Sequence, residues 1–173
     1  MLFPSVRSLP WKQVQERWDA LLRGRQDIAV TDDQFVNQVY PQGVSVAERR
    51  VTGILRQVIA EQCGVPAEKL QATDQTCQLE TLMGAHHFIP WLLDHPYQCR
   101  FDVRGVHFAL EWKLGELTQR RFILRTVKMD SLATFRGQRP RESDVSRTLG
   151  DWIKAVVPHV VQELAHLGAQ IDA

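Results

Sequence analysis

Residues 97–129 read YQCRFDVRGVHFALEWKLGELTQRRFILRTVKM, and the reading of this stretch decides the fold. Val106, Phe108, Leu110, Trp112 and Leu114 alternate with His107, Ala109, Glu111 and Lys113. A period of two is the mark of a half-buried strand. Phe101 and Val103 alternate with Asp102 and Arg104 in the same way, and Arg104-Gly105 fits a two-residue hairpin turn. One register then faces Val103 with Val106 and Phe101 with Phe108, which puts the apolar side chains on a single face. The stretch predicts strands over 98–103, 106–114 and 121–128.

The flanking chain reads as helix. Ser8 and Pro10 suit a helix start, and Trp11, Val14, Trp18, Leu21 and Leu22 trace an amphipathic stripe that stops at Gly24. Thr31 to Gln34 has capping-box spacing, with Pro41 marking the exit. Ser45-Val46-Ala47-Glu48 is a second capping box. It opens a helix with Val51, Ile54, Leu55, Val58 and Ile59 inward and Gly64 as its stop. A short helix is expected around 76–83, then an irregular segment broken by Gly84 and Pro90. A long helix from about Ser143 to Leu167 buries Val145, Leu149, Trp152, Ile153, Val156, Val160, Leu164 and Leu167, with Pro158 set to kink or split it.

The expected fold is α+β: a three-stranded antiparallel β-meander, one face packed by N-terminal helices and a long C-terminal helix. A single domain over residues 1–173 accommodates this, with 1–97 mainly helical, 98–128 the meander and 143–167 the last helix. Phe101, Phe108, Leu110, Trp112, Phe122 and Leu124 are the sheet's share of the core.

Composition sets the class. A chain of 173 residues, 44% hydrophobic and 24% charged, is an ordinary globular sequence. No apolar run reaches the roughly 18 residues of a membrane span, and the N-terminus lacks a signal-peptide pattern. The three cysteines Cys63, Cys77 and Cys99 form no CxxC pair. Reduced thiols in a cytoplasmic protein are the expectation.

Charge is unevenly spread. Residues 1–97 hold 9 basic and 11 acidic side chains, 98–147 hold 11 and 6, and 148–173 hold 1 and 3. The excess falls on Arg120, Arg121, Arg125, Lys128, Arg136, Arg139, Arg141 and Arg147, interleaved with Phe135 and Pro140. Arginines in this setting bind phosphate or an acidic protein surface. Arg121, Arg125, Arg136, Arg139 and Arg141 are the candidate binding residues, on the third strand and the loop after it. The expected function is non-catalytic: an adaptor, assembly factor or complex subunit docking an acidic protein or nucleic acid, without cofactor or bound metal. Trp11, Trp18 and Trp91 are further candidate interface anchors. The partner's identity and the oligomeric state are not legible.

One rival is catalytic. Asp102 followed by Glu111-Trp112-Lys113 resembles the signature of the restriction-endonuclease-like nucleases. The resemblance implies a divalent metal held by two carboxylates and a lysine that helps to activate water. On the hairpin described above Asp102 faces His107, which leaves Glu111 about 13 Å away at roughly 3.3 Å per residue. Asp94 is an alternative first carboxylate. That separation favours solvated charges, with Glu111 and Lys113 pairing across the hairpin with Arg121 or Arg125.

The histidines show no metal pattern: His86 and His87 are adjacent, His95 is apart, and His159 and His166 lie two helical turns from each other. Val51 to Asp74, VTGILRQVIAEQCGVPAEKLQATD, is similar to the first helix and following loop of acyl carrier proteins. The Asp-Ser-Leu that carries their prosthetic group is absent; Thr76-Cys77-Gln78 and Leu79-Glu80-Thr81 stand there instead.

Overall fold

Thr31 and Ser45 start two helices by the same device. A computed structural model of the chain describes residues 16, 19–76, 78–79, 103–121 and 148–168. In it the Thr31 hydroxyl accepts from the Gln34 backbone N–H at 3.2 Å, and the Gln34 side chain accepts from the Thr31 N–H at 2.9 Å. This opens α1, Asp32–Val39. The Ser45 hydroxyl accepts from the Glu48 N–H at 3.2 Å, and Glu48 accepts in return from the Ser45 N–H at 3.2 Å. This opens α2, Val46–Cys63. Each box satisfies donors that a helix start leaves orphaned. Gly64 ends α2 in the left-handed region at φ 67°, with the Val65 N–H donating to the Ala60 carbonyl at 3.1 Å. Residues 19–23 are helical, and a 3-10 turn at Ala67–Lys69 follows α2.

The meander is overturned. Val103–Thr118 is an α-helix, α3, and no strand occurs among the described residues. The expected second strand, 106–114, lies wholly inside it. The expected first strand meets it only at Val103, and of the third only Arg121 is described. Val106, Leu110 and Leu114 are indeed buried, but as the i, i+4, i+8 seam of a helix. Phe108 and Trp112, expected in the core, are 70% and 73% exposed.

The error has a physical origin. Apolar positions spaced by two contain, as every second member, positions spaced by four. The five alternating residues therefore fit both periods if two of them are allowed outside. Propensity breaks the tie. Between Val106 and Thr118 no residue is β-branched, and Ala109, Leu110, Glu111, Lys113, Leu114, Glu116 and Leu117 are good helix formers. The α+β class therefore gives way to a mainly helical structure.

α3 ends as α2 does. Gln119 is left-handed at φ 52°, its N–H donates to the Glu116 carbonyl at 3.4 Å, and the Arg120 N–H reaches back to the Gly115 carbonyl at 3.2 Å. That is a Schellman closure made without glycine. The Thr118 hydroxyl also donates to the Leu114 carbonyl, at 2.7 Å.

The last helix, α4, is Leu149–His166, capped by the Thr148 hydroxyl accepting from the Asp151 N–H at 3.1 Å. Pro158 sits within it but does not split it. The ring lies on the exposed side, and Lys154, whose carbonyl loses a donor, is exposed as well, so water can take the donor's place. The helix expected from about Ser143 begins at Leu149 instead, because Thr148 is extended at its N-cap; residues 143–147 lie outside the described residues. Leu167, expected in the buried stripe, is 40% exposed.

α2 stands at the centre and packs against α1, α3 and α4. Phe35, Val51, Leu55, Ile59, Leu110, Leu114, Trp152, Ile153 and Val160 fill the space between them. Each contributes roughly 1.5–3 kcal/mol when fully buried. Residues 72–75 join this core to α4 through backbone bonds. The Leu149 N–H donates to the Asp74 carbonyl and the Gly150 N–H to the Ala72 carbonyl, both at 2.8 Å, and Gln75 pairs with Thr148 in an isolated antiparallel bridge. A methyl on Gly150 would stand 3.1 Å from that Ala72 oxygen, so the approach depends on glycine.

Candidate interaction surface

Two arginines hold the frame on which the surface is built. Arg25, 5% exposed, forms a two-pronged pair with Asp74 at 2.8 and 2.9 Å and donates to the Lys69 carbonyl at 2.9 Å. The same carboxylate accepts from the Gln71 N–H at 2.8 Å. Lys69 answers by donating to the Gln26 and Ile28 carbonyls at 2.6 and 2.7 Å. Arg56, 1% exposed, projects from α2 to Asp32 at 2.6 Å and to the Val30 and Leu70 carbonyls at 2.7 and 3.1 Å. Its guanidinium lies over the Phe35 ring, 4.5 Å from the centroid. Planar, multi-donor arginine suits these sites, because a buried charge is tolerated only when paired and hydrogen-bonded. The two residues clamp the segment before α1 to the loop after α2.

The outward face of α3 is a different kind of surface. Phe108 and Trp112 are one turn apart and therefore neighbours on the helix. The Trp112 indole N–H donates to the Glu116 carboxylate at 2.9 Å, which holds the ring along the surface. Glu111, half-buried, lies between Phe108 and Trp112 in the sequence of the same helix. Exposed large aromatics on one helix face mark an interaction surface more often than isolated apolar residues do. Beyond the Schellman turn come Arg120 and Arg121, both exposed. Arg120 donates to the Leu167 carbonyl at 2.5 Å, placing its cation at the C-terminal end of α4, where the helix dipole favours positive charge.

Of the candidate binding arginines, Arg121 is exposed at the exit of α3, whereas Arg125, Arg136, Arg139 and Arg141 lie outside the described residues. So do Asp94 and Asp102. Glu111 and Lys113 are both half-buried on α3, and two residues apart on a helix places them on different faces. Among the described residues, the segment that carries Glu111 and Lys113 is helix and not the strand that the nuclease resemblance implies. Trp11, Trp18 and Trp91 also lie outside the described residues, as do His86, His87, His95 and Cys99.

His159 and His166 are exposed on α4. Cys63 is fully buried at the end of α2, its thiol directed at the Leu79 carbonyl at 3.9 Å. Burial pushes that thiol up from 9.0 to about 12, with the Arg25 charge acting weakly in the opposite direction. A thiol so protonated is neither nucleophile nor ligand at neutral pH. Burial also raises the Tyr40 hydroxyl above its ordinary value.

Among the described residues no group of three or more His, Cys, Asp or Glu side chains could hold a metal ion, and no helix is long and apolar enough to cross a membrane. The stretch similar to acyl carrier proteins is a helix closed by Gly64 and then a loop.

Sequence reasoning missed Phe108 and Trp112 as surface residues and Arg25 and Arg56 as buried ones. The lack of β-branched residues after Val106 and the Trp112-to-Glu116 spacing were the available signals for the first pair. Nothing local distinguishes Arg25 or Arg56 from solvated arginines. Comparison with protein-family models, curated proteins and solved structures finds no match for the chain.

Proposed function

We propose that the chain is a non-catalytic interaction protein that docks an acidic partner through its arginine-rich segment, with the outward face of α3 as the apolar anchor. The observation that carries this reading is the exposure of Phe108 and Trp112 on the helix that leads into Arg120 and Arg121. Trp and Arg are the residue types most enriched at energetic centres of protein interfaces. The basic excess of residues 98–147 adds long-range attraction for a negatively charged partner. Arg121, Arg125, Arg136, Arg139 and Arg141 remain the residues assigned to that role.

A protein partner is favoured over nucleic acid by Glu111 and Glu116. Glu116 holds the Trp112 indole and Glu111 adjoins Trp112 in the sequence, so a base stacked there would bring its phosphates close to negative charge. The test combines Trp112→Ala with Arg136, Arg139 and Arg141 changed together to Glu. Each variant is used to recover partners from native cells and is titrated with a single-stranded oligonucleotide at two salt concentrations. The expected result is that both variants lose the same protein partner, with charge reversal acting mainly on the association rate. Oligonucleotide binding whose log affinity falls by nearly one unit per neutralised phosphate would reassign the partner to nucleic acid. Unchanged recovery with no oligonucleotide binding would overturn the proposal.

A further inference from the structure

We draw no further inference here: the strongest candidate, the shallow groove between α1 and α2 floored by Val36, Gly53 and Ile54, is walled by charges already paired within the chain, Asp33 with Arg49 and Asp32 with Arg56, and nothing in the structure shows what covers it.

Discussion

α2 and α3 pack against each other and end on the same left-handed turn, yet they place their large side chains differently. α2 buries Val51, Thr52, Ile54, Leu55, Arg56, Val58, Ile59, Ala60 and Cys63, so that neighbours surround most of its circumference. α3 buries a narrow seam of Val106, Leu110 and Leu114 and turns its two largest residues outward. Intrinsic propensity runs the other way. α2 is rich in β-branched residues and is helical because tertiary packing and caps at both ends hold it so. α3 has good helix formers and needs fewer neighbours. A helix that is surrounded serves the core; one supported by its own sequence can present a face to something else.

The contrast can be broken most severely on the side of α2. Asp74→Ala would leave the Arg25 guanidinium buried without its carboxylate and free the loop that grips α4. A loss of about 3–5 kcal/mol is expected in urea unfolding. If stability is nearly unchanged, the clamp is not a structural element.

Next comes the inward seam of α3. Leu110→Ala should cost about 2–5 kcal/mol, as for other fully buried leucines.

A third effect belongs to the end of α2 and appears only in alkali. The Cys63 thiol has a higher pKa folded, about 12, than its ordinary 9.0, so the folded state holds the proton more tightly. The stabilisation is complete below pH 9 and is lost as pH rises through the folded value. Melting temperature should therefore fall between roughly pH 9 and 12 more steeply in the native chain than in Cys63→Ala. Equal slopes would show that another group governs the alkaline limb.

The smallest effect sharpens the comparison most. Trp112→Ala should alter stability by no more than about 0.5 kcal/mol, the range of surface substitutions. A core tryptophan would cost about 3–5 kcal/mol, as the strand register requires. One unfolding curve therefore separates the helix from the meander.

What the sequence made legible follows from whether a signal was local. Thr31, Ser45 and Gly64 act within a few residues of themselves, and the starts of α1 and α2 and the end of α2 lie where these residues predict. The buried stripe of α4 was readable through Trp152, Ile153, Val156, Val160 and Leu164, because a long apolar seam with one period admits one reading. α3 failed because pattern reasoning assumes that large apolar side chains are inside. Phe108 and Trp112 break that assumption and so complete a false alternation. Arg25 and Arg56 were illegible for a different reason: their burial depends on Asp74 and Asp32, partners 49 and 24 residues away. The candidate surface was legible as charge along the sequence and not as a face of the fold. Of its arginines only Arg121 is described, and it is exposed, while Phe108 and Trp112 were assigned to the wrong side of the wrong element.

The bridge between Gln75 and Thr148 has a consequence for how such a chain can change. It joins residues on either side of α3 in the sequence, and backbone bonds beside it hold both in place. Closure entropy grows slowly with the length of chain between two joined residues, by about 0.6 kcal/mol for each doubling. A change in the number of residues between α3 and Thr148 would thus weigh little on the closure of the bridge. That interval holds all five of the arginines proposed for partner docking. A change of length there would alter the segment proposed for docking at little entropic cost to the bridge.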